Sequence, residues 1–286
     1  MQSENSTSAT GATAPSGRGK AGDLRTRFLS ALVLGPLVLL AVYFGGWIFQ
    51  LLMLSFALLA AAEWVRLVEP NRSLLIASLA ITAVGAILVA DFAAGVELSL
   101  ILATVLTVAL FATATVGRAE HCRLLAFGIP YVVFGSIALL WVRGVDEDGL
   151  GLLIYLLFAV WATDIGAYAA GRTIGGPKLA PRISPKKTWA GLIGGMISAA
   201  LFGAGVAFVF GAERPGFAAL LAAVLAVISQ AGDLFESGIK RHFNVKDSGR
   251  LIPGHGGLLD RVDGLIVAAP VFALFHAFLG KPLAWW

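Results

Sequence analysis

Four clusters of polar residues interrupt a chain that is otherwise a succession of apolar runs. The first is Trp161–Arg172, with Asp164 and Tyr168 at i, i+4 spacing and so on one helix face. A carboxylate inside an apolar helix is costly unless it is paired or binds a metal, so Asp164 is either an ion-pair partner of a neighbouring Arg or part of a working site. The second is Pro181-Arg182-Ile183-Ser184-Pro185-Lys186-Lys187-Thr188-Trp189, followed by Gly191, Gly194 and Gly195. Ser184 or Thr188 could cap the next helix. Hydroxyls, free N–H groups and clustered cations at a helix start suit an anion, although the same cations would serve as a topological anchor. The third is Asp233-Leu-Phe-Glu236-Ser237-Gly-Ile-Lys240-Arg241, in which Asp233/Ser237 and Glu236/Lys240 are both i, i+4 pairs. The fourth runs from Lys246-Asp247 through Pro253-Gly-His255-Gly256-Gly257 to Asp260-Arg261-Val-Asp263. Its glycines let a backbone approach a ligand closely.

Asp260 and Asp263 could be nothing more than a helix cap and a dipole partner. A cap needs one acid, however, and Asp164 and Asp233 are expected at the same membrane depth. Several carboxylates among many cations suit oxygen-rich coordination of Mg²⁺. His255 could hold a phosphate or act as a base, or be an ordinary loop histidine. Acids for a hard cation, with cations and glycines for anions, specify metal-assisted phosphoryl-type chemistry. A site at lipid depth that opens to an aqueous side could bring a nucleotide and a lipid phosphate together. Residue types and spacing do not name the nucleotide.

The elements that position these residues follow from composition. In 286 residues, 58% are apolar and 13% charged, against about 25% charge in soluble domains. Such a chain has too little polar surface for a water-facing globule, and with Cys122 alone it has no internal disulfide. The pI of 9.4 does not point to nucleic acid, because the cations sit between apolar runs. Residues 28–62 carry no charge, enough for two spans of about 17–20 residues with a turn at Gly45-Gly46. Further uncharged stretches are 73–90, 98–117, 124–142, 188–212, 215–232 and 264–280, and 149–171 is broken only by Asp164. The expected fold is an all-α polytopic membrane protein of about nine transmembrane helices, since lipid cannot satisfy an open strand edge. With a cytoplasmic N-terminus, all but Arg143, Arg214 and Lys281 of the 21 Lys and Arg residues fall on the inner side, as the positive-inside rule requires. The expected organisation is a disordered polar tail over 1–27, N-terminal transmembrane helices over 28–148, and a catalytic membrane region over 149–286. Its cytoplasmic loops are 172–187 and 238–263.

The run from Ser237 to Asp263 resembles the signature of the phosphatidate cytidylyltransferase (CDP-diglyceride synthase) family. That pattern joins Ser237, Lys240-Arg241, Lys246-Asp247, Pro253-Gly-His255-Gly256-Gly257 and Asp260-Arg261-Val-Asp263, without a departure. Asp164–Arg172 and Pro181–Trp189 are similar to its companion motifs, whereas the first half of the chain resembles it only in hydropathy. The resemblance implies a nucleotidyltransferase of phospholipid biosynthesis in the cell inner membrane, with its active site facing the cytoplasm. CTP and phosphatidate would give CDP-diacylglycerol and pyrophosphate. It implies Mg²⁺, with room for a second cation, held by Asp233, Asp260 and Asp263, with Asp164 a further metal candidate. Asp260, Asp263, His255 and Lys240 would be catalytic, His255 as a phosphate or positioning residue. Ser184, Lys186, Lys187, Thr188, Ser237, Arg241, Lys246 and Arg261 would bind substrate. The bilayer is the expected partner, nucleic acid is not, and a homodimer is compatible with the sequence.

Three other readings compete. A CTP-dependent lipid-alcohol kinase would also need a nucleotide site at the membrane, but it would release CDP. A transporter would place polar breaks in both halves of the chain, whereas here they concentrate in the second. A structural scaffold would have no use for so many polar groups at one depth.

Overall fold

In a computed structural model, residues 32, 35–70, 74–249 and 256–286 are described. The tail over 1–27, Arg250 and His255 lie outside them. Eight helices among the described residues are long and apolar enough to cross a membrane. They are α2 (Gly46–Val68), α3 (Leu74–Ala94), α4 (Val96–Val116), α5 (Cys122–Arg143), α6 (Gly149–Thr173), α7 (Trp189–Val209), α8 (Pro215–His242) and α9 (Asp263–Phe275, continued by a π-turn to Gly280). A shorter apolar helix, α1 (Gly35–Phe44), precedes them. The multi-pass helical architecture expected from composition is therefore present. The break within 28–62 falls at Gly45, whose φ is +62°, a value only glycine adopts without penalty. Arg143 fixes this turn from α5 by donating to the carbonyls of Val42 (2.7 Å) and Tyr43 (3.1 Å).

Two cores hold the helices together. One packs α2 to α5 around Trp64, Ile87, Leu125 and Ile129. Trp64 Nε1 donates to the Leu124 carbonyl at 2.9 Å, which satisfies the one polar atom of a buried indole. The other lies between α6, α8 and α9, around Tyr155, Leu225, Phe272 and Trp285. Tyr155 donates its hydroxyl to the Ala218 carbonyl at 2.6 Å.

The crossing of α6 and α7 is built from small residues. A Cβ added at Gly194 would run into that of Ala170, and one at Gly195 would lie 3.0 Å from the Thr163 carbonyl. Close backbone approach of this kind is how helices associate in lipid, where no hydrophobic drive is available between them. The glycines after Thr188 thus serve helix packing.

Two features differ in detail from the sequence expectation. The loop over 172–187 contains an antiparallel hairpin, β1 (Lys178–Ala180) and β2 (Ser184–Thr188), with Lys178 opposite Thr188 and Ala180 opposite Ser184. The loop expected from residue 238 starts later, because α8 continues to His242. The charged last turn of α8 stays helical because Lys240 finds buried acidic partners there and Lys240, Arg241 and His242 favour the negative end of the helix.

Candidate active site

One end of the bundle gathers the polar clusters. Glu69 at the end of α2 accepts from the His121 amide at 3.0 Å, and the His121 ring lies 6.2 Å from that of His242 at the end of α8. Arg241 donates to the carbonyl of Ile183 in the hairpin loop (3.4 Å) and to that of Val245 (3.2 Å). The turns after α2, α4, α6 and α8 therefore share one face.

At this face the hairpin delivers Lys187 to α8. Its ammonium lies 2.6 Å from Asp233 Oδ2 and 3.5 Å from the Gln230 carbonyl. Asp233 Oδ1 accepts from the Ser237 hydroxyl at 3.2 Å, one helical turn on. Asp164 is carried by α6, Asp233 by α8 and Asp263 by the start of α9; these three helices pack on one another, and at Gly232, next to Asp233, a Cβ would sit 2.7 Å from the Asp263 carbonyl. The hairpin thus supplies a cation to one of these carboxylates, Asp233.

Asp260 plays a different part. Its Oδ1 accepts from Lys240 at 2.6 Å, and its Oδ2 from the amides of Ser248 (2.9 Å) and Gly257 (2.8 Å). Burial alone would raise its pKa. The Lys240 hydrogen bond and charge, with the Gly257 and Ser248 amides, outweigh that and hold it below its ordinary value. Its lone pairs are committed to protein donors, and the carboxylate ties the loop to α8. Lys240 is 7% exposed and bonds Glu236, fully buried, at 3.2 Å as well.

The remaining expected site residues divide into two groups. Thr188 is buried and caps α7 by accepting from the Gly191 amide at 3.0 Å, which leaves its hydroxyl proton to donate elsewhere. Ser184 is half-buried in β2, while Lys186, Arg241, Lys246 and Arg261 are exposed at the same face. Tyr168, expected beside Asp164, accepts instead from Arg172 at 2.7 Å.

Asp164, Asp233 and Asp263 form an oxygen-only donor set suited to a hard cation. Among the described residues no three His, Cys, Asp or Glu side chains are grouped so as to hold a metal ion.

Residue spacing alone missed Glu63. It is 2% exposed on α2, and its Oε2 accepts from the Leu259 amide (3.0 Å) and the Ser248 hydroxyl (3.3 Å). In the sequence it only ends the long uncharged run after residue 27; its position at the end of an apolar helix was the one available signal.

A model described as the cytidylyltransferase family matches residues 25–279. The phosphatidate cytidylyltransferase of Brucella suis biovar 1 is 39% identical over 265 residues, covering 91% of this chain and 96% of that protein. The enzyme of the same name from Rickettsia felis is 42% identical over 156 residues, covering 50% of this chain and 69% of that protein. The one from Haemophilus influenzae is 48% identical over 141 residues, covering 46% and 47%. With a match that spans nearly every helix described above, this chain belongs to the cytidylyltransferase family.

Proposed function

We propose that the chain transfers the cytidylyl group of CTP to phosphatidate, giving CDP-diacylglycerol and pyrophosphate. The observation that carries the reading is the Lys187–Asp233 pair, 2.6 Å apart, on the helix α8 that packs against α6 and α9, the helices that carry Asp164 and Asp263. Two polyanionic reactants repel each other, and catalysis of such a step is chiefly positioning and charge neutralisation.

In the proposed reaction a phosphatidate oxygen attacks the α-phosphorus of CTP. A new P–O bond forms there, the bond to the β-phosphate bridging oxygen breaks, and pyrophosphate leaves with that electron pair. The attacking oxygen is already anionic near neutral pH, so no side chain need remove a proton. Asp233 and Asp263 would hold Mg²⁺, with Asp164 beside them; when bound, Mg²⁺ neutralises phosphate charge on the reactants and leaving group. Lys187, paired with Asp233, would pass to an incoming phosphate. Lys186, Arg241, Lys246 and Arg261, exposed on the same face, would draw both anions toward it. Asp260 and Lys240 would hold the loop in register with α8, and Thr188 would fix the start of α7 behind the hairpin. The excess of Lys and Arg on this side supports a cytoplasmic active site, and we propose the inner membrane as the chain's location.

The test is the nucleotide product formed by purified protein with CTP, phosphatidate vesicles and Mg²⁺. Cytidylyl transfer releases pyrophosphate in step with CTP loss. Release of CDP would instead establish a kinase and overturn the proposal.

A further inference from the structure

We propose that Glu63 is a positioning residue for the loop that carries Asp260, acting from the half of the chain that holds none of the motifs. The inference rests on the reading that chemistry occurs where α8 and α9 meet. A carboxylate buried in an apolar helix is expensive without strong partners, and Glu63 draws its partners from residues 185 and 196 positions away. Leu259 donates its amide to Glu63 and directly precedes Asp260; Ser248 donates its hydroxyl to Glu63 and its amide to Asp260. One loop is thus gripped by two carboxylates, Glu63 on α2 and Asp260, which is itself bound to Lys240 on α8.

The glycines of the loop make that grip close. A Cβ at Gly249 would sit 2.5 Å from Glu63 Oε1, and one at Gly257 would sit 2.8 Å from Glu63 Oε2. Side chains at either position would push the backbone off the carboxylate. The backbone from which Glu63 reaches the loop is held in turn by its neighbour Trp64, which bonds the Leu124 carbonyl and lies 5.0 Å from the ring of Tyr131. The glutamate fixes where the turn Leu259–Arg261 lies, and this turn leads directly into Asp263 at the start of α9. Displacing a reacting group by about 1 Å costs on the order of 100-fold in rate.

The experiment compares wild type, Glu63→Gln and Glu63→Ala in detergent micelles. It reads hydrogen exchange of the peptide over 256–262, the thermal midpoint, and kcat and KM for CTP. Glutamine keeps the size and one acceptor but loses the charge that strengthens both bonds. Exchange over 256–262 is expected to quicken about tenfold in Glu63→Gln, from the weakened charged bond. In the same variant α6 should exchange as before, and kcat should fall by a larger factor than KM rises. Unchanged exchange over 256–262 would overturn the proposal. So would a kcat within about twofold of wild type, given the positioning cost above. If Glu63→Ala fails to fold, the glutamine variant decides. If wild type forms no CDP-diacylglycerol, the functional reading fails, and the exchange data still judge the Glu63 tie separately.

Discussion

Replacing Lys240 by Met removes the cation at the centre of the most deeply buried charge network in the site. Its ammonium stands 2.6 Å from Asp260 and 3.2 Å from Glu236. Asp260 retains two amide donors after the substitution. Glu236 is fully buried, its Oε2 has no partner among the described residues, and it would lose the cation that balances it. Breaking a buried pair by removing one member costs about 3–5 kcal/mol, much of it from the charge left behind. The double variant Lys240→Met with Glu236→Gln removes that stranded charge and should recover most of the loss. Equilibrium unfolding in micelles, followed by helical circular dichroism, measures both. The reasoning is refuted if Lys240→Met alone costs less than about 1 kcal/mol, or if the double variant is no more stable than the single one.

Other consequences follow from the same geometry. Asp263→Asn should insert and melt like wild type but lose cytidylyl transfer by about 100-fold or more, measured at saturating Mg²⁺, because one anchoring charge of the site is gone. Gly194→Ala should destabilise the α6/α7 crossing by about 1–3 kcal/mol in the same unfolding assay, since the new methyl group collides with Ala170. Asp260 gives a pH dependence whose sign is fixed by its lowered pKa. The carboxylate's stabilising contribution is complete above its ordinary value of 3.8 and is lost as pH falls through the lower folded value. The stability difference between wild type and Asp260→Asn should therefore stay constant from about pH 5 to 8 and shrink below about pH 4.

The helices were legible because lipid imposes a simple rule: about 20 apolar residues per span, with cations gathered on one side. Even the split of the first long run at Gly45 could be read, since a positive φ needs glycine. The hairpin over 178–188 could not, because its strands are short and polar and carry no alternation. The i, i+4 pairs Asp233/Ser237 and Glu236/Lys240 were legible as spacing and are hydrogen-bonded in the structure. Asp260 and Asp263 look equivalent in sequence and are not. A bend between them turns Asp260 toward Lys240 and the loop amides, while Asp263 Oδ1 accepts from the Gly264 amide at the start of α9. Glu63 was hidden because its partners lie nearly 200 residues away, and no local pattern encodes such a contact. Thr188 could be read as a cap from its place before the helix, and the Gly191 amide 3.0 Å away shows it acting as one.

The central claim is that bond-making occurs at the α-phosphorus of the nucleotide, at a lipid phosphate. Parallel incubations with CTP radiolabelled at the α- or the γ-position, phosphatidate vesicles and Mg²⁺, followed by organic extraction, test it most directly. The account predicts α-label in the lipid phase as CDP-diacylglycerol and γ-label only in aqueous pyrophosphate. Recovery of γ-label in the lipid, or of no label there from either nucleotide, would contradict it.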